Sequence, residues 1–75
     1  MPYRGGGKGE PFGEDGSFMG TSGVSIDDAI RAAVDAAQQP QGTWFHIGTV
    51  AVESVDDPNV GGYKVIIAPG NEPGA

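Results

Sequence analysis

The sequence contains no cysteine, and only four of its 75 residues are basic: Arg4, Lys8, Arg31 and Lys64. The lack of cysteine excludes disulfide bonds and fits a reducing compartment. The net charge of −6 argues against a nucleic-acid partner, because phosphate binding needs clustered lysine and arginine. Composition therefore excludes a disulfide scaffold and disfavours a nucleic-acid-binding domain.

Long hydrophobic runs are also missing. No apolar stretch approaches the ~20 residues that a membrane-spanning helix needs. The first residues, MPYRGGGKG, lack the hydrophobic region of a signal peptide. We therefore expect no membrane partner and a cytoplasmic location.

Glycine occurs 14 times and proline 6 times, concentrated towards the two ends of the chain. Such stretches have little apolar surface to offset the entropy lost on ordering. The sequence therefore predicts a flexible, glycine-rich N-terminal arm over residues 1–17, a folded domain over residues 18–69 and a C-terminal tail over residues 70–75. A domain of this size is rarely stable without an additional constraint, so we expect a homo-oligomer.

The stretch SIDDAIRAAVDAAQQP predicts one amphipathic helix. Its apolar residues recur at helical spacing on a single face, namely Ile26, Ala29, Ile30, Ala33, Val34 and Ala37. Ser25 and Asp28 resemble a capping box with aspartate in place of glutamate, and Arg31 can pair with Asp27 one turn away. Pro40 marks the end of the helix.

The strand that contains TWFHIG changes face midway. Phe45 and Ile47 share one face, whereas Val50 and Val52 share the other by simple parity. Such a change indicates either a β-bulge near Gly48 or a strand that is covered on both faces.

A further strand is predicted over YKVIIA, residues 63–68, after the turn-forming loop DDPNVGG. Pro69 is expected to end it, because proline cannot donate to a strand ladder. Before the helix, Phe18 and Met19 can supply a short strand. The predicted fold class is α+β, with a small helix packed on an antiparallel β-hairpin or three-stranded sheet whose first strand is short or missing.

Catalytic motifs are not evident. The stretch GGGKGE lacks the glycine spacing and the Ser or Thr of a phosphate-binding loop, and no set of metal ligands is apparent. His46 is the one candidate base, and no serine lies in a nucleophile motif. We therefore expect no enzymatic activity.

The only tryptophan and the only histidine lie two positions apart, in TWFHIG. By parity, Trp44 and His46 point away from Phe45 and Ile47, which we assign to the helix side. An exposed tryptophan indicates a surface that something else covers. The cover is either a neighbouring subunit or a flat aromatic ligand that stacks on the indole.

Three stretches follow one another at characteristic spacing: GTSGVSIDDAIRAAVDAA, WFHI and YKVII. Together, over about residues 20–67, they resemble the dodecins, small flavin-binding proteins that assemble as hollow homo-dodecamers. The resemblance implies a β-α-β-β unit, a closed homo-oligomer and a flavin, FMN or riboflavin, at the tryptophan. It also implies that the residue after the tyrosine, Lys64, contacts the flavin.

The chain departs from the dodecin pattern at four places, one of which is that its final strand stops early, at Pro69. GEPFGEDGSFM stands where dodecins have their first strand, and His46 stands where an acidic residue is usual. Lys64 replaces a glutamine that contacts the flavin in that family. A lysine donates hydrogen bonds but cannot accept them, so a bidentate contact with the edge of the flavin ring is lost.

These observations predict a non-catalytic, homo-oligomeric binding or storage protein for a flat aromatic ligand such as a flavin. The candidate ligand-binding residues are Trp44, Lys64 and His46. The alternative is a structural or interaction protein that uses the dodecin-like unit as a building block of a shell or virion and binds no small ligand. A larger assembly would then contact the N-terminal arm.

Overall fold

The computed structural model describes residues 5–56 and 59–74. They contain one helix and four strands: β1 (Lys8–Pro11), β2 (Phe18–Ser22), α1 (Ile26–Ala37), β3 (Trp44–Asp56) and β4 (Asn59–Gly70). The strands form one antiparallel sheet in the order β1-β2-β4-β3. The helix packs on one face, against β1, β2 and β4. The predicted α+β fold is confirmed, with one strand more than the sequence indicates.

Helix α1 begins and ends at local signals. The Ser25 hydroxyl accepts a hydrogen bond from the backbone N–H of Asp28 at 3.0 Å, which is the predicted cap. Asp27, which suits the positive end of the helix, forms the predicted ion pair with Arg31 at 3.1 Å. The helix ends where Gln38 adopts a left-handed conformation with φ of 52°.

Two glycines lie directly beneath α1. Gly9 of β1 and Gly20 of β2 are partners in the strand register, so they occupy the same face of the sheet. A Cβ on Gly20 would collide with the backbone carbonyl of Ala29, and a Cβ on Gly9 would collide with that of Ala32. The helix therefore approaches the sheet this closely because neither strand has a side chain at the contact.

The N-terminal segment differs from the flexible arm that the sequence predicts. Residues Lys8–Pro11 pair with β2, and the turn between them is held by a 2.9 Å hydrogen bond from the Phe12 N–H to the Ser17 carbonyl. The Asp15 carboxylate accepts two further bonds, from the Ser17 hydroxyl and backbone N–H. At Gly9, glycine serves close packing rather than disorder. Residues 1–4 of the predicted arm lie outside the described residues.

The core between α1 and the sheet is small. Its buried members are Ala29, Ala33, Val65 and Ile67, and the half-buried residues packed against them are Phe18, Ile30, Phe45 and Tyr63. Ile26 and Val34, which the sequence places on the packing face, remain 37% and 38% exposed. The helix is rotated towards its alanines because these fit against Gly9 and Gly20, and the larger residues stay on its flank.

A β-bulge at Gly48 brings the apolar residues of β3 to one face. The partners of Ile47 and Thr49 are adjacent residues of β4, so Gly48 is left out of the ladder. Val50 and Val52 therefore lie on the same face as Ile47, which is the helix side of the sheet. Of the two alternatives that the sequence left open, the bulge is the one present.

The β3–β4 hairpin is longer than the rest of the sheet. Strand β4 pairs with β3 over its whole length, but with β2 only from Tyr63 to Ile67. Beyond these residues the hairpin continues as a two-stranded ribbon. The predicted strand over residues 63–68 is too short at both ends, because β4 runs from Asn59 through Pro69 to Gly70. Proline is tolerated here because β2 no longer pairs with β4, so one edge of the strand needs no N–H donor.

Candidate functional site

The three residues singled out from the sequence share the sheet face that points away from α1, called here the outer face. Along β4, Lys64 and Ala68 alternate with the buried residues of the helix side. His46 pairs with Ala68, and Trp44 lies two positions before it on β3, so both follow onto the outer face. The parity argument therefore assigned the faces of these residues correctly.

Trp44 and His46 form one end of the outer face. The Trp44 side chain is 49% exposed. The Nε2 atom of His46 lies 2.8 Å from the backbone oxygen of Asn71, and because a carbonyl only accepts, His46 donates this hydrogen bond. The imidazole also lies over Gly70, where a Cβ would collide with it. A ligand at this end would meet an indole and an oriented imidazole.

Lys64 does not lie beside Trp44 within one chain. Trp44 pairs with Gly70, six residues along β4 from Lys64. At ~3.3 Å per residue, the two positions are about 20 Å apart along the sheet. The structure thus brings Trp44 and His46 together and separates Lys64 from them. One stacked ring can contact all three residue types only if they come from different copies of the chain.

Lys64 instead lines an open groove at the other end of the outer face. The groove has a volume of about 670 Å³, and Lys8 and Thr21 also line it. Sequence reasoning missed Lys8 and Thr21 because their proximity to Lys64 depends on β1 and β2 joining the sheet. The pairing of β2 with β4 places Thr21 beside Lys64, and the pairing of β1 with β2 places Lys8 beside Thr21. No local sequence pattern predicts these pairings.

On the helix side of the sheet, β3 is left largely uncovered. Ile47, Val50 and Val52 are 49%, 50% and 54% exposed. Together with Ile26 and Val34 on the flank of α1, these side chains form what we call the open apolar face. Monomeric proteins rarely expose large apolar patches, so this face is a candidate contact surface.

Titratable groups offer little further chemistry in the described parts of the chain. In residues 5–56 and 59–74, no group of three or more His, Asp or Glu side chains is placed to hold a metal ion. The pKa of Asp15 is lowered by the hydrogen bonds from the Ser17 hydroxyl and backbone N–H. This carboxylate belongs to the β1–β2 turn and not to the groove or to the Trp44 end.

Helix α1 has 12 residues, and none of the described segments forms a helix long and apolar enough to cross a membrane. Comparison with protein-family models, with curated proteins and with solved structures gives no match for this chain.

Proposed function

We propose that this chain is a non-catalytic binding or storage protein that assembles with copies of itself and holds a flat aromatic ligand, such as a flavin, against Trp44. The observation that carries the proposal is the exposure of β3 on both sides. The open apolar face lies on one side, and the half-exposed indole of Trp44 lies on the other. Helix α1 packs on the remaining three strands.

Self-association accounts for the open apolar face. Full burial of a valine or isoleucine stabilises by about 1.5–3 kcal/mol, so covering the exposed part of each contributes about 1 kcal/mol. Every copy supplies this stabilisation from the five residues of the open apolar face, namely Ile26, Val34, Ile47, Val50 and Val52. Two or more copies together reach the range of ~4–15 kcal/mol that association costs. A second copy of the chain is therefore a sufficient cover.

A flat ring accounts for Trp44. Stacking of a base on an aromatic side chain contributes about 1–3 kcal/mol, and every flat ring has a face that can stack. The dodecin-like stretches and the element order β2-α1-β3-β4 support a flavin as that ring. Lys64 contributes only when a second copy brings it near Trp44, which makes assembly and ligand binding interdependent.

The test is a titration of the purified protein with FMN and with riboflavin, combined with a mass measurement of the native particle. Flavin emission is followed because that signal persists when the only tryptophan is replaced. We expect quenching that saturates, and Trp44→Ala should weaken binding by about 1–3 kcal/mol. Phe12→Ala is the matched control, because Phe12 is a 56% exposed aromatic residue outside this site.

The alternative function is a structural building block, as in a shell or virion, with no small ligand. The open apolar face favours it equally, because this face requires a protein cover and no ring. In that case flavin emission is not quenched. A neighbouring subunit rather than a ring then covers Trp44 on the outer face, so Trp44→Ala breaks the oligomer. A stably folded monomer at micromolar concentration that also leaves flavin emission unchanged would contradict both functions.

The proposed location for the ligand-binding function is cytoplasmic.

A further inference from the structure

The groove on the outer face holds two of the four basic residues of the chain on one cross-strand row. Lys8 pairs with Thr21, and Thr21 pairs with Lys64, so their side chains lie next to one another on β1, β2 and β4. Adjacent strands are ~4.8 Å apart, which places the two lysines about 10 Å apart with Thr21 between them. Two like charges are thus concentrated in a chain whose net charge is −6.

Neither lysine has a carboxylate partner in the parts of the chain that the structure describes. The ion pair found there joins Arg31 to Asp27 on the helix. Glu10 lies two residues from Lys8 along β1 and Glu53 lines the groove, but neither is within ion-pair distance of a lysine. The positive charge of the row is therefore not neutralised by the described residues.

The groove also has room and hydrogen-bond donors. Ala51 follows Lys64 on the same row, and Gly23, Gly61 and Gly62 line the groove, so small side chains leave its volume of about 670 Å³ open. The Thr21 hydroxyl donates to the Lys8 carbonyl at 3.5 Å. This contact is long for a hydrogen bond, so the hydroxyl can turn to a better acceptor.

We propose that this groove binds an anionic group, a phosphate or a carboxylate, over Thr21 and between Lys8 and Lys64. The four-carbon stem of each lysine spans the distance to the middle strand, so both ammonium groups can approach one anion. Hydrogen bonds between charged partners are strong, and the two ammonium groups and the Thr21 hydroxyl would supply the donors to such an anion. Within one chain, the groove lies about 20 Å along the sheet from Trp44, so the anion and the ring proposed there occupy different places.

The test is equilibrium dialysis of the whole chain against inorganic phosphate and, separately, against succinate at constant ionic strength. We expect saturable binding of at least one of these anions. Lys8→Gln and Lys64→Gln should each lower its affinity about tenfold or more, the loss expected for a charged hydrogen bond. Glu53→Gln should raise the affinity, because it removes from the groove wall a negative charge that repels the anion. The anion that binds more tightly identifies the ligand class.

Arg31→Gln is the matched control, since it removes the same charge from a helix position outside the groove. It should leave the affinity unchanged, and circular dichroism should show that all four variants stay folded. If Arg31→Gln and Lys64→Gln lowered the affinity for the anion equally, only the net charge of the protein would matter, and this would overturn the proposal. Binding of neither anion would overturn it as well.

Discussion

Replacing Gly20 by alanine tests whether α1 lies as close to the sheet as described. The new Cβ would collide with the carbonyl oxygen of Ala29 and would lie 2.9 Å from the Cβ of Ala33. The first atom belongs to the helix backbone, so no change of rotamer relieves the clash. Either α1 moves away from the sheet as a unit or β2 bends beneath it.

The expected cost follows from this geometry. Overpacking a core costs typically ~1–3 kcal/mol, and a clash with backbone belongs at the upper end of that range. Moving α1 also loosens its contacts with the buried side chains of Val65 and Ile67. We therefore expect the free energy of unfolding to fall by about 3 kcal/mol. In a domain of this size the melting temperature falls by about 4–8 °C per kcal/mol, which gives about 12–24 °C.

Thermal unfolding followed by circular dichroism measures this change. Protein concentration must be fixed, because the melting temperature of an oligomer depends on it. Gly23→Ala is the matched control, since a Cβ there meets nothing within 4 Å and the backbone φ is not positive. It should change the stability by no more than about 1 kcal/mol. If Gly20→Ala melts as the control does, α1 is not packed directly on Gly20.

Two further predictions concern the β1–β2 turn and the open apolar face. Because its pKa is lowered from 3.8, the Asp15 carboxylate stabilises the fold above that value, and this contribution is lost as pH falls through the lowered pKa. Urea unfolding should therefore show that Asp15→Ala is less stable than wild type near neutral pH but equally stable at a pH below the lowered pKa. A difference in stability that persists in acid would refute a stabilising role of the ionised Asp15 carboxylate. Val52→Lys places a charge on the open apolar face and should reduce the particle mass measured by light scattering, whereas Gln39→Lys, in the exposed connection after α1, should not. Equal masses for wild type and Val52→Lys would exclude this face from the contact.

The local parts of the fold were predictable because their signals lie close together in sequence. The cap needs only Ser25 and Asp28, three positions apart, and the structure confirms it. The bulge at Gly48 follows from the change of parity between Ile47 and Val50, and it is present as one of the two expected alternatives. Each of these features is determined by residues only three positions apart in the sequence.

Strand β1 was not predictable in this way. Its four residues, KGEP, contain no alternation of apolar and polar side chains. Its place depends on Gly9 fitting beneath Ala32, a contact between residues far apart in sequence. Glycine in a sequence ordinarily indicates a lack of packing, whereas here the missing side chain is what the packing requires. The separation of Trp44 from Lys64 likewise follows only from the strand register.

The unequal length of the hairpin also affects how the sheet opens locally. Strand β4 is hydrogen-bonded on both edges only from Tyr63 to Ile67, and two-stranded ribbons are marginally stable in water. Amide protons should therefore exchange with solvent slowest near Val65 and progressively faster towards Gly70. Trp44 pairs with Gly70 at this weakly held end. If a ring binds the indole as proposed, it should order this end of the hairpin, and amide exchange at Gly70 should then become slower.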